Sequence, residues 1–442
     1  NDSLAVDNFK FYENSIGIGS GEQGKVNWNV RYHFRDNYDR DGGSWQEESR
    51  GEDLSLFGKL NNWHSFTASI QFTNRNKKYY DSEQANSRYY LMKGQIIQRP
   101  QKLPFDWRSN FRVDEKYTVK KEKIYYKVAR VEGNYSYDST YADYVPHQLG
   151  NYILRIIPTN IRRPVTNFKT GFQFRFNGKK LYKNNNDRFL SRFSTFTNLR
   201  LDQEIKNNHR LSNLYNLSLA KVDSNWINYY RFFQQDIDYD FKSIRGYLKF
   251  RYKKNDNISE LDIRGNEERF REEYTIKYRG PLLWNIKLES EADYHQNIRH
   301  SEISTMRNHK ITGYSWENKL SYRFNTSNKL GFDFKLQQDR ETEKSNVESL
   351  LSKIKLEYER NFSRKGRTKS FIEFNQVRVT PDNSTIPWEM SDGRKEGLTF
   401  GFGLSIEYKI ARYLNLRANY EGWKEPYFDF YQLGNVELRA FF

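Results

Sequence analysis

The stretch that decides the fold is Trp284-Asn285-Ile286-Lys287-Leu288-Glu289-Ser290-Glu291-Ala292-Asp293-Tyr294. Apolar or small side chains stand at every even position, polar and charged ones at every odd position. A period of two sends successive side chains to opposite faces of an extended strand, so this segment has one apolar and one charged face. Its length exceeds the usual globular strand of about five or six residues. It matches the roughly 9–11 residues that carry a tilted strand across a bilayer. Charged groups facing lipid cost several kcal/mol near the midplane, so Lys287, Glu289 and Glu291 must look the other way.

The pattern repeats along the chain. Phe168, Thr170, Phe172, Phe174 and Phe176 alternate with Lys169, Gly171, Gln173 and Arg175. Leu248, Phe250 and Tyr252 alternate with Lys249, Arg251 and Lys253, and Leu330, Phe332, Phe334 and Leu336 with Asp333 and Lys335. Phe402, Leu404, Ile406 and Tyr408 follow, then Leu414, Leu416, Ala418 and Tyr420. Short connections (239–242, 280–281, 325–327, 363–366, 409–412) alternate with longer ones (255–265, 297–309, 340–345, 381–396, 421–429). Up-and-down barrels do this, with short periplasmic turns and longer outer loops. Tyr278, Trp284, Tyr314, Trp316, Tyr322, Phe324 and Tyr408 near strand ends suit interfacial girdles. A soluble antiparallel sandwich shares the period but not the loop asymmetry. The expected fold class is all-β, an antiparallel up-and-down transmembrane β-barrel of roughly 14 or more strands.

Composition agrees. Tyr (33), Phe (32) and Trp (9) make 17% of the 442 residues, which favours strands. Mean hydropathy is −0.99, and no stretch approaches the ~18 apolar residues of a spanning helix. Barrels evade a hydropathy test, because only alternate residues face lipid. The absence of Cys fits a chain that crosses an oxidising periplasm unfolded. The net charge of +17 admits nucleic acid, anionic headgroups or an anion-lined pore. No compact basic motif supports nucleic acid, which is not expected as a partner. The chain opens at Asn1 without a charged-then-apolar leader, as a processed chain or a part of a longer one would.

Two regions are expected. Residues 166–442 form the transmembrane barrel. Residues 1–165 are β-rich and supply additional barrel strands, a plug or a soluble lobe. Gly133-Asn134-Tyr135 recurs as Gly150-Asn151-Tyr152, two copies where a solenoid needs at least three. Leu211, Leu214 and Leu217 stand at helical spacing, so a short helix competes with a strand there.

Motifs for chemistry are weak. Gly19 to Lys25 has the glycine and lysine spacing of a phosphate-binding loop, but Val26 replaces the Ser or Thr and a strand follows; it reads as a glycine turn. His295, His300 and His309 share one expected outer loop without metal-ligand spacing. No catalytic, cofactor-binding or metal residues are assigned, no cofactor is expected, and an enzyme is not. The inward faces carry more information. Lys249, Arg251, Lys253, Lys287, Glu289 and Glu291 are expected to line the lumen, either as a salt-bridged interior or as a hydrated conduit.

The chain closes Val436-Glu437-Leu438-Arg439-Ala440-Phe441-Phe442. The alternation of Val436, Leu438 and Ala440 before Phe441 and Phe442 resembles the C-terminal signal by which the barrel-assembly machinery recognises outer-membrane proteins. The C-terminal part, with Pro387-Trp388-Glu389-Met390 and Glu396-Gly397, also resembles the ends of large, uncharacterised outer-membrane proteins of Bacteroidetes-type bacteria. The alternation of connections sets Phe442 on the short-turn side, the expected periplasmic side, and the resemblance implies an outer-membrane location. Its implied partners are membrane lipid, lipopolysaccharide, the assembly machinery and partner subunits. The expected function is a pore, transporter or secretion-type conduit for polar or anionic material. The alternative is a non-conducting scaffold or surface protein whose outer loops bind a partner subunit or polysaccharide.

Overall fold

A computed structural model of the chain describes residues 9–440 apart from 22–23, 42–43, 81–85, 130–131, 139–142, 182–188, 207–225, 260–266, 284, 302–307, 363–364, 383, 385 and 427–429. Short 3-10 turns aside, the elements are strands. They are β1 (Phe9–Gly19), β2 (Val26–Asp41), β3 (Ser44–Trp63), β4 (Phe66–Tyr79), β5 (Ser87–Gln98), β6 (Phe105–Lys127), β7 (Gly133–Asp138), β8 (Asp143–Gly150), β9 (Tyr152–Asn177), β10 (Phe193–Lys206) and β11 (Trp226–Phe241). The rest are β12 (Gly246–Ser259), β13 (Glu267–Leu283), β14 (Ile286–Ser301), β15 (His309–Arg323), β16 (Asn328–Glu341), β17 (Glu348–Phe362), β18 (Gly366–Thr380), β19 (Gly397–Ala411), β20 (Leu414–Lys424) and β21 (Tyr431–Ala440). Nineteen of them form an antiparallel up-and-down sheet. β7 and β8 are a hairpin inserted between β6 and β9, which pair directly. A boundary at 165/166 falls inside β9. The segment around Leu211, Leu214 and Leu217 lies outside the described residues.

Two compact units divide the chain: 1–181 with 196–233 and 257–266, and 182–195 with 234–256 and 267–442. In the second unit, register sets Phe334 opposite Ile354, Ile354 opposite Phe374 and Phe374 opposite Phe400. Even-numbered residues of β13 to β19 therefore share one face, and odd-numbered ones the other. The even face is apolar and open: Ile276 is 54% exposed, Trp316 50% and Phe374 45%. The odd face is polar and covered, with Asp339, Glu373 and Asn375 buried. A water-soluble sheet buries the apolar face and wets the polar one. This sheet is inside out, the arrangement that lipid as the outer solvent requires. Rings of Tyr252, Tyr274, Tyr294 and Tyr314 run across four strands at centroid spacings of 4.8, 6.1 and 5.0 Å, a girdle on the apolar face.

The short and long connections alternate as expected, but the strands run further. Short connections follow β11, β13, β15, β17 and β19, and longer ones follow β12, β14, β16, β18 and β20. Gly280 and Pro281 are inside β13, not in a turn. His295 and His300 are in β14 and His309 opens β15, so the three do not share a loop. Polar content marked these positions as loop. In fact the polar residues continue the inward alternation of strands that outrun the hydrocarbon layer.

The first unit has the same two faces. Ile16 and Ile18 of β1 and Ile70 of β4 are exposed, while Arg75 donates from Nε and Nη2 to the two Asp53 carboxylate oxygens at 2.6 and 2.9 Å on the polar side. The glycine turn 19–25 joins β1 to β2, with the Ser20 N–H donating to the Trp28 carbonyl at 2.8 Å. The recurring Gly-Asn-Tyr has a packing reason. Gly133 faces Gly150 in the β7–β8 ladder. A Cβ on Gly133 would meet the Tyr152 backbone at 2.4 Å, and one on Gly150 the Tyr135 carbonyl oxygen at 2.2 Å. Each copy's glycine thus admits the other copy's tyrosine backbone. Around them Tyr125 stacks on Tyr144 at 4.0 Å, and Tyr135 is buried.

Candidate functional site

The polar face of the second unit is crossed by ion pairs between neighbouring strands. Lys277 holds Glu291 at 2.9 Å, Lys369 holds Glu357 at 3.0 Å, and Lys353 holds Glu373 at 3.1 Å. The basic ladder of β12 is part of this web. Lys249 lies 3.4 and 3.3 Å from Asp236 and Asp238, Arg251 2.8 Å from Asp236, and Lys253 3.0 Å from Glu273. Glu289 takes Lys277 and Arg279. Lys287 sits exposed near the turn end, opposite Pro281 and Ser321. Five of these six residues thus stand on the covered polar face in ion pairs, and the ladder is no free positive surface.

Onto this face folds loop 381–396, between β18 and β19. Ser391, Asp392 and Gly393 have φ of 51, 55 and 75°, three left-handed residues that reverse the chain sharply. Such conformations cost roughly 1–2 kcal/mol for non-glycine residues, so contacts elsewhere must hold the turn. They do. The Ser391 N–H donates to Asp339 Oδ2 at 2.7 Å, and its hydroxyl meets that of Ser349 at 2.8 Å. Asp392 pairs with Lys335 at 2.7 Å and Arg394 with Glu373 at 2.9 Å. Glu389 accepts from Arg299 at 3.3 Å and has His309 at 3.8 Å. Ile386 packs on Val347, Leu351, Val377 and Val379, and Met390 is fully buried.

Depth gives these contacts meaning. Lys335 lies six residues below the loop end of β16, and Glu373 seven below that of β18. At about 3.3 Å per residue, these two positions lie roughly 20 Å from the strand ends, near the strand middles; the loop meets them through the Lys335 and Arg394 side chains, while its Ser391 backbone meets Asp339, two residues from the end of β16. Under it is a cavity of about 430 Å³, lined by Arg271, Glu273, Glu291, Asp293, His295, Asn297, Ser315, Glu317, Lys335, Gln337, Trp388, Glu389, Asp392 and Gly393. Five of its carboxylates have a cation: Glu273 (Lys253), Glu291 (Lys277), Glu317 (Lys319), Glu389 (Arg299) and Asp392 (Lys335). Asp293 accepts instead from the hydroxyls of Thr275, at 3.0 Å, and Ser315.

The anchor has one tight spot. His295 Nε2 is 3.2 Å from Asp339 Oδ1, and both side chains cross over Gly313 between them. A Cβ there would lie 2.2 Å from Asp339 Oδ1 and 2.6 Å from His295. Gly313→Ala is therefore expected to push Asp339 off Ser391, cost about 1–3 kcal/mol as overpacking, and loosen loop 381–396. Limited proteolysis at Arg394 and Lys395 reads this out: cleavage should accelerate in the variant, and an unchanged rate counts against the anchor.

Sequence reading missed Arg299, Asp339, Glu389 and the inward course of the loop. Two signals were present: apolar Ile386, Trp388 and Met390 within a loop, and a strand-interior glycine at 313. Of the assembly-signal residues, Val436, Leu438 and Ala440 pair with Ala418, Leu416 and Leu414 and expose an apolar edge; Phe441 and Phe442 lie outside the described residues.

An up-and-down antiparallel sheet with an open apolar face and an ion-paired polar face defines a transmembrane β-barrel protein. No family model matches the chain, and no curated protein matches it in sequence. It is similar to the solved "Copper transporter OprC" at TM-score 0.43 and 10% identity, over 94% of this chain and 67% of that one. It is similar to Pseudomonas aeruginosa OccK2 (OpdF) at TM-score 0.37 and 10% identity, over 94% and 96%. An anion-selective porin from Comamonas acidovorans gives TM-score 0.29 and 11% identity over 85% and 91%. At these scores the fold rests on the chain's own strand pairing and faces, not on the likenesses.

Proposed function

We propose that this protein is an outer-membrane conduit, a pore or transporter, for polar solutes, with loop 381–396 setting its narrowest section. The carrying observation is the docking of that loop by Asp392 on Lys335 and Arg394 on Glu373 at mid-strand depth. A loop that merely covered the surface would need no contacts there. A modest anion preference was the expectation drawn from Lys249, Arg251 and Lys253; with each paired to a carboxylate, the reading favours polar solutes of no single charge sign. In this account the short turns and the C-terminal end of β21 face the periplasm. Proteoliposomes holding the purified protein should swell in iso-osmotic arabinose faster than empty vesicles; equal rates would remove the conduit.

Orientation has its own test, helped by the absence of native Cys. Lys344→Cys in loop 342–347 should react with an impermeant thiol reagent on intact cells, and Arg412→Cys in turn 412–413 should react only after lysis. The reverse pattern inverts the topology.

A further inference from the structure

We propose that the cavity under loop 381–396 is a binding subsite for a neutral saccharide, stacked on Trp388 and hydrogen-bonded by Asp293 and Asn297. The inference rests on the reading of the polar face as a solute path. Its starting point is Trp388, 72% exposed on a loop whose Met390 is fully buried. The indole lines a cavity whose other lining side chains are polar or charged. Lipid has no access to the covered polar face, so the ring's occupant must itself be polar while presenting a flat apolar side. A pyranose has that form: C–H groups on its faces and hydroxyls around its rim.

The rim chemistry matches. Asp293 already takes its hydrogen bonds from hydroxyls, those of Thr275 and Ser315. A carboxylate has capacity for further hydroxyl donors, and the Asn297 amide offers both donor and acceptor. Charge disfavours the other classes. An anion would face the lining carboxylates directly, and five of these have their own Lys or Arg, which leaves a cation Asp293 alone. A volume of about 430 Å³ falls within the roughly 300–1,000 Å³ of small-molecule sites, room for a short saccharide.

Saturation-transfer difference NMR on the full chain in detergent tests this. Maltotriose, lysine and glucuronate are presented separately to the wild type and to Trp388→Ala, whose heat-modifiability on gels reports folding. The expected result is transfer to the ring C–H protons of maltotriose, at least tenfold weaker in folded Trp388→Ala, and weaker transfer to the charged probes. No transfer to maltotriose, equal transfer in the variant, or a preference for lysine or glucuronate overturns the proposal. Swelling of wild-type proteoliposomes is scored separately, so a protein that conducts but shows no saccharide contact defeats this inference alone.

Discussion

Ile354→Arg is expected to destabilise the inserted protein by about 2–4 kcal/mol, the cost of a guanidinium on the lipid face near the midplane. Ile354 sits at the middle of β17, 43% exposed, in a row with Phe334, Phe374 and Phe400. Phe334→Arg and Leu288→Arg, on the same face, should behave alike. The matched control is Glu289→Gln on the polar face. It removes one acceptor, but Lys277 keeps Glu291, so the cost should stay near 1 kcal/mol. Glu289→Arg is not a neutral control, because it would set a third cation beside Lys277 and Arg279. Urea unfolding in lipid vesicles measures the differences. If Ile354→Arg and Glu289→Gln cost the same, the apolar face does not meet lipid.

The second large effect is at the loop anchor. Arg299 is 7% exposed and joins Glu267, at 3.0 Å, to Glu389 of loop 381–396. Arg299→Met leaves two carboxylates short of their cation in a covered site. Removing one partner of a buried pair costs about 3–5 kcal/mol. Glu267 retains Arg269 and Glu389 retains His309, so the lower end is expected. Arg299→Met/Glu389→Gln should recover part of the loss, since the second change removes the stranded charge. A double variant less stable than the single one would mean that the three groups do not act as a unit.

The strand pattern was legible because alternation is a local property: each residue's face follows from its neighbour's. Turn positions were less so. His295, Asn297 and Arg299 look like loop by polarity, yet they keep the odd-numbered inward parity of β14. Pairing across strands was not legible at all. That Arg251 meets Asp236, or Lys253 meets Glu273, depends on register set by turns some distance away. From the sequence, the basic ladder therefore read equally as part of a salt-bridged interior or of a hydrated conduit. The loop was the largest omission. Its length pointed outward, while its inward course depends on Asp339, Lys335 and Glu373, three residues far away in sequence that no local pattern ties to Ser391, Asp392 and Arg394.

The central claim, that this is a conduit narrowed by an inward loop, is tested most directly by single-channel conductance in a planar bilayer. The wild type is compared with a chain in which residues 382–395 are replaced by a short Gly-Ser turn. The account predicts discrete conductance steps for both, with steps severalfold larger in the replaced chain because the loop no longer folds onto the polar face. Equal steps would contradict the constriction, and no steps from either protein, correctly folded and inserted, would contradict the conduit itself.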